Sequence, residues 1–335
     1  MKLRIGTRGS ALARAQAADV ALRLESLGHE TETVVISTAG DRQTDSAFAD
    51  VGSFGIFVRE IEAALLDGRV DVAVHSYKDL PSRSPAGLVI AAVPERMDAA
   101  DLLLARPSAV DVSRGALPLR AGARVGTSAA RRQALLRQLR ADLEVAQLRG
   151  NVPTRIRALG EGRFDAIVLA AAGVARLERV MDAMSPLVPA DVVRTRLDPE
   201  TFVPAPAQGA IAVQVRADAP NVRHAVAEID DPRTARALLA ERAALALAEG
   251  GCTLPFGAWC REGADGALIL VSVLGREDGT VARAEVTGDD PEAVAAESWR
   301  ELTMERRAKG QRERRRDNAK GEAIAKGEVT TRRAK

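Results

Sequence analysis

Hydrophobic positions along the first two thirds of the chain switch between a strand-like period of two and a helix-like period of three to four. Leu3–Thr7 is a short apolar run that reads as a strand, and Arg8-Gly9-Ser10 reads as the turn after it. Over Ala11–Gly28 the apolar positions recur at helical spacing, which predicts a helix stopped by Gly28. Glu30–Thr38 is a β-branched strand, and a polar, glycine-containing loop follows over 39–53. Gly55–Gly68 predicts an amphipathic helix, and Val70–Ser76 and Gly87–Pro94 predict buried strands. Strands alternating with helices imply a mostly parallel sheet.

A second block of the same kind starts near Ala123. Ala123–Ser128 predicts a strand leading into a helix over Ala129–Arg140, and Leu143–Leu148 predicts the next strand. Arg149–Gly162 reads as a loop entering a helix, and Phe164–Leu177 as a strand, a small-residue turn and a helix start. Gln208–Arg216 is a strand that follows a proline-rich crossing and returns to one of the lobes. A long helix over about Pro232–Glu249 precedes three strand-like runs, Phe256–Glu262, Ala267–Gly275 and Thr280–Gly288, and a closing helix from about Pro291. The expected fold is therefore α/β. Residues 1–95 plus about 208–228 form lobe 1 and 100–205 form lobe 2. Residues 232–303 form a smaller α+β domain with an antiparallel sheet.

Composition changes this picture in three places. An apolar content of 46% and a charged content of 28% are those of an ordinary globular chain. There is no apolar run long enough to span a membrane and no secretory h-region in MKLRIGTRGSALARAQ, so a cytoplasmic monomer is the expectation. The two cysteines, Cys252 and Cys260, are too few for a disulfide scaffold, and the scattered His29, His75 and His224 argue against a zinc site. Beyond about Met304 the chain is polar and basic; residues 304–335 read as a disordered tail, and nucleic acid is not the expected partner. Lys78 is the single lysine between Lys2 and Lys309 in a chain that otherwise uses arginine. That choice fits a task for a compact ammonium, or chance retention in an arginine-biased sequence.

Ligands of open α/β sheets bind beyond the carboxyl ends of the strands. The residues that fall there are Arg8 and Ser10, Lys78 and Asp79, Ser128, Arg131 and Arg132, and Arg149 and Arg155. Guanidinium groups at such positions bind carboxylates through paired hydrogen bonds, or they are ordinary surface charges. In GTSAARRQ the paired arginines open a helix behind small hydroxyl residues at the expected N-cap. Cations in a first turn oppose the helix dipole at a cost of roughly a few tenths of a kcal/mol, which an anionic ligand would offset. Asp79 is either a salt-bridged turn residue or a cleft carboxylate that meets positive charge developing on a substrate. Cys252, behind two glycines, is either inert packing or an exposed loop thiol suited to covalent tethering; Cys260, in a strand-like run, reads as structural.

The segments TRGSALA, DVGSFGIFVREIEAALL, DVAVHSYKDLP, VGTSAARRQ, LRGNVPTR, FDAIVLAAAG, PAQGAIAV and ERAALALAEGGCTLPFG, in this order, resemble the porphobilinogen deaminase (hydroxymethylbilane synthase) family over roughly residues 3–300. The resemblance implies two periplasmic-binding-protein-like lobes with a cleft and a third domain bearing the cysteine. It implies head-to-tail condensation of four porphobilinogen units into hydroxymethylbilane, with release of four ammonia molecules. The chain would grow on a dipyrromethane cofactor joined by a thioether to Cys252, and the product would pass to uroporphyrinogen-III synthase in haem synthesis. By the same resemblance Asp79 is catalytic, binding pyrrole N–H groups and stabilising the cationic azafulvene. Lys78, Thr127, Ser128, Arg131 and Arg132 are implied to hold the cofactor. Arg8, Ser10, Gln16, Arg149, Arg155, Arg176 and Gln208 are implied to hold substrate.

The chain departs from the family pattern at Phe54, where a lysine is usual, at Arg59, where lysine is common, at Ala207, where glycine is usual, and in its basic tail. A competing reading is a two-lobed carboxylate-binding protein without enzymatic activity. The third domain with Cys252 speaks against it. A further reading makes the tail a nucleic-acid tether.

Overall fold

A computed structural model of the chain describes residues 1–36, 56–181, 186–248 and 255–304. Strand β1 (Lys2–Arg8) buries Leu3 and Ile5 completely, and the alternation of its side chains sets one face against helix α1 (Ala11–Ser26). Ser10 caps α1: its Oγ accepts from Ala13 N at 3.2 Å. The helix ends at Leu27, and Gly28 turns the chain at φ +83°. Strand β2 (Glu30–Ile36), helix α2 (Ile56–Leu66), β3 (Val72–Ser76) and β4 (Leu88–Ala92) follow.

The second block comprises β5 (Asp101–Ala105), β6 (Arg124–Gly126), α3 (Ala130–Leu139), β7 (Glu144–Ala146), α4 (Val152–Gly160), β8 (Ala166–Ala170), α5 (Ala171–Val180) and β9 (Val193–Leu197). The chain then forms β10 (Ile211–Arg216), α6 (Pro220–Ala227) and α7 (Pro232–Leu247). It closes with β11 (Phe256–Glu262), β12 (Leu268–Gly275), β13 (Val281–Gly288) and α8 (residues 291–304). The turn expected inside 164–177 is absent: β8 runs directly into α5. Strands β5 and β9 are additional to those the periodicity suggested.

The strand order is β2-β1-β3-β10-β4 in the first sheet and β7-β6-β8-β5-β9 in the second. In each, one strand runs against its neighbours: β10 is antiparallel to β3 and β4, and β5 is antiparallel to β8 and β9. Each reversed strand is the one reached by a crossing from the other sheet, through residues 93–100 and 198–210. The crossings touch where Met97 N donates to Gly209 O at 3.3 Å. Gly209 has φ +90°, and a Cβ there would lie 2.6 Å from Met97 O, so only glycine fits this contact. The third sheet, β11-β12-β13, is antiparallel throughout and packs against α7 and α8 through Phe256, Leu268, Leu270, Ala295 and Leu302.

Among the described residues no helix is long and apolar enough to cross a membrane, and no cluster of His, Cys, Asp and Glu could hold a metal ion. Phe54 and Cys252 lie outside the described residues, as does the tail from 305.

Candidate active site

Strand β3 ends at Ser76, and Tyr77–Asp79 form a single 3-10 turn beyond its carboxyl end. Asp79 is partly buried there. Burial pushes its carboxyl above the usual range, while the charges of Lys78, Arg8 and Arg155 pull it back. Lys78 Nζ donates to Gln208 Oε1 at 3.3 Å, which ties the turn to the second crossing. Burial lowers the Lys78 ammonium to about 8; Asp79 and Asp101 support its charge and Arg132 and Arg131 oppose it.

Beside Asp79 is a recess lined by Arg8, Ser10, Gln16, His75 and Ser76 among others. Ser10 faces it while capping α1. Gln16 is buried, and its Nε2 donates to Ser76 Oγ at 2.9 Å, so it pins α1 to the end of β3.

The opposite wall comes from the second sheet. Arg131 and Arg132 are buried in the first turn of α3 and share one carboxylate. Arg131 Nη2 donates to Asp101 Oδ2 at 2.8 Å, and Arg132 Nη2 to Asp101 Oδ1 at 2.6 Å. Arg131 Nη1 also donates to Val203 O at 2.6 Å and Arg132 Nη1 to Val168 O at 3.0 Å. Burial alone would raise the Asp101 carboxyl, but the two guanidinium groups hold it well below the usual carboxylate range. The anion expected opposite these arginines is thus supplied in part by the protein. Asp101 was not singled out in the sequence; a lone acid opening the apolar run Asp101–Ala105 was its only signal.

Gln208 is completely buried and bridges the walls, donating through Nε2 to Asp101 Oδ1 at 2.9 Å and to Ala99 O at 2.8 Å. The N-cap of α3 is Ala129, which has no side-chain cap, rather than a hydroxyl residue. Thr127, fully buried, accepts from Ala129 N at 3.3 Å, and Ser128 Oγ donates to Leu148 O at 2.6 Å.

Asn151 caps α4, and Arg155 in that first turn folds back so that Nε donates to Gly150 O at 2.7 Å. Burial and the charge of Arg132 lower Arg155 to about 10, with Asp79 opposing. Arg149 is exposed on the turn before Gly150. Arg176 stands apart from this set. It is buried, its Nη2 donates to Gly209 O at 2.8 Å, and it links α5 to the crossing. Burial brings it down to about 10.

The third unit grips both crossings. Glu241 on α7 is completely buried; its Oε1 accepts from Arg96 Nη1 at 2.6 Å and from Cys260 N at 2.8 Å, and its Oε2 from Ala207 N at 2.6 Å. Neighbouring Arg242 donates to Leu80 O at 2.9 Å and lies over the Tyr77 ring at 4.8 Å. Helix α7 leads to the segment that holds Cys252, so these bonds fix its exit against the Asp79 turn. Cys260 is buried, and burial pushes its thiol up to about 12, which keeps it inert.

A ligand with several carboxylates and N–H donors fits this donor set. Burial, with a smaller contribution from neighbouring arginines, disfavours the charged forms of Lys78 and Arg155, and Asp79 is an acceptor bracketed by cations. Two α/β sheets joined by a double crossing, with Lys78, Arg131, Arg132 and Arg155 gathered about Asp79 and Asp101, define a two-lobed α/β protein. Residues 3–224 match the family described as porphobilinogen deaminase, dipyromethane cofactor binding domain. The porphobilinogen deaminase of Syntrophobacter fumaroxidans is 44% identical over 83% of this chain and 85% of its own length. That of Lachnospira eligens is 41% identical over 91% of this chain and 100% of its own. Among solved structures, a periplasmic substrate-binding protein from Coxiella burnetii covers 70% of this chain and 94% of its own, with a TM-score of 0.37 and 15% identity. The chain belongs to the porphobilinogen deaminase family. It is a transferase of tetrapyrrole synthesis that acts on porphobilinogen and uses a dipyrromethane cofactor.

Proposed function

We propose that the chain is a hydroxymethylbilane synthase in which Asp79 is the catalytic group and Cys252 holds the cofactor by a thioether. The observation that carries this is Asp79 at the carboxyl end of β3, between Lys78, Arg8 and Arg155. The dipyrromethane, when bound, supplies the primer ring to which the first substrate joins. Asp79 accepts from pyrrole N–H groups and faces the positive charge that develops as ammonia leaves. Lys78 and Ser128, with the remaining donors of Arg131 and Arg132, hold cofactor carboxylates, and Thr127 shapes the wall behind them. Arg8, Ser10, Arg149 and Arg155 hold substrate carboxylates. Gln16, Gln208 and Arg176 act on substrate through the residues and crossings they brace.

In this reading lobe 1 (1–95 with about 208–228) and lobe 2 (100–205) form the cleft walls, and 232–303 presents Cys252 to it. The chain works as a cytoplasmic monomer, and its product passes to uroporphyrinogen-III synthase. Intact mass with peptide mapping tests the assignment. The purified chain carries a dipyrromethane adduct on Cys252 and turns over porphobilinogen; a fully active, unmodified chain overturns it.

A further inference from the structure

His75 sits on β3 one residue before the strand's end and lines the same recess as Asp79. Its surroundings fix its protonation pattern. Nε2 lies 3.2 Å from Gln214 Oε1 on β10, and Gln214 Nε2 donates to Glu62 Oε1 on α2 at 3.1 Å. Both Gln214 and Glu62 are buried. A carboxylate only accepts, so the amide presents N–H to Glu62 and its oxygen to His75. The imidazole must then carry its proton on Nε2, which leaves Nδ1 as a lone pair. Nδ1 has no hydrogen-bond partner among the described residues. A buried three-residue chain from three separate elements therefore ends in a neutral acceptor on the recess that Arg8 and Asp79 also line.

We propose that His75 contacts substrate: its Nδ1 accepts a hydrogen bond from the aminomethyl ammonium of the porphobilinogen engaged by Asp79, and so orients the group that leaves as ammonia. The proposal rests on the reading of Asp79 given above. An ammonium is a good leaving group only while it keeps its proton, so its partner must accept without abstracting. Burial holds the His75 imidazole at about 4, too weak a base to take that proton. Asp79 is thereby left to the ring, where positive charge develops. Gln214 and Glu62 act through His75 and are positioning residues.

Two substitutions separate contact from scaffolding. An asparagine places an amide atom where Nδ1 stands, whereas a glutamine reaches the Nε2 position and keeps the link to Gln214. H75Q lowers kcat about 30-fold, the range for losing one hydrogen bond to a charged group. H75N recovers part of this and is at least about fivefold faster than H75Q. H75Q within about threefold of the wild-type chain, or H75N as slow as H75Q, overturns the proposal. If either variant fails to fold, 15N-histidine spectra of the cofactor-loaded wild-type chain decide. The sequence has 3 histidines, so assignment is direct. At neutral pH Nδ1 of His75 resonates as an unprotonated nitrogen and shifts when porphobilinogen is added; a protonated Nδ1, or one indifferent to porphobilinogen, overturns it. A wild-type chain that does not consume porphobilinogen sinks the parent reading instead, and the same assay shows this.

Discussion

Arg242 donates to Leu80 O at 2.9 Å, one residue beyond Asp79, and so joins the helix that leads to Cys252 to the turn that carries Asp79. The same guanidinium covers the Tyr77 ring at 4.8 Å. R242A removes a charge-assisted bond and a cation–π contact, which together stabilise by about 2–3 kcal/mol. Turnover falls more than thermal stability accounts for, because the Asp79 turn loses its tie to α7. Steady-state assays beside thermal melts check this; loss of stability with unchanged turnover of the folded fraction contradicts it.

Asp79 is held in the folded chain at a cost. Burial raises its pKa, so its ionisation is easier in the unfolded chain, and the folded state loses stability as pH rises through the raised value. D79N removes that penalty. The expected outcome at neutral pH is near-complete loss of turnover with a melting temperature equal to or above that of the wild-type chain. A large drop in melting temperature would show that the carboxylate is structural.

Asp101 has the opposite sign. Its pKa is held below the ordinary value of 3.8, so its stabilising effect is present above that value and fades as pH falls below it. D101N leaves two buried guanidinium groups without their carboxylate and costs about 3–5 kcal/mol. Urea denaturation between pH 3 and 7 shows the wild-type advantage shrinking toward the acid end; an equal gap at every pH contradicts the assignment.

Lys78 loses its charge near pH 8, well below the ordinary 10.5. Its charged form is harder to hold in the folded chain, so its contribution to stability grows more favourable from about 8 upward. Catalysis moves the other way, since a neutral amine does not bind carboxylate. The kcat/KM for porphobilinogen falls above about pH 8, and K78M is slow throughout and lacks that limb. A limb that persists in K78M assigns it to another group.

Much of this architecture was legible in the chain. The helical spacing of Ala11–Ser26 was legible because its periodicity reflects a single buried face, and β2 was legible from its β-branched residues. Asp79, Lys78 and the arginines stood out because strand ends are where open sheets bind ligands. The reversed strands were harder. Strand β5 is a short run, apolar after Asp101, and nothing local distinguishes the direction in which it pairs. The shared carboxylate of Asp101 and the buried Glu241 were invisible for the same reason, since each is defined by partners far away in sequence. His75 gave no signal, because an imidazole on a buried strand looks the same whether its second nitrogen faces packing or a recess.

Gly209 permits the closest approach of the two crossings, and G209A places a Cβ 2.6 Å from Met97 O in a left-handed backbone. The substitution destabilises by more than about 2 kcal/mol, read from denaturant midpoints, and a neutral effect would show that the crossings yield easily.

The exchange of strands between the sheets also sets an order of assembly during synthesis. When Ala92 leaves the ribosome, β3 still lacks the neighbour that will separate it from β4, and that neighbour, β10, ends only at Arg216. The second sheet, whose strands span Asp101–Leu197, is complete before the first can close. The nascent chain thus carries an open strand edge through the translation of the whole middle of the protein, and the half made first is finished last.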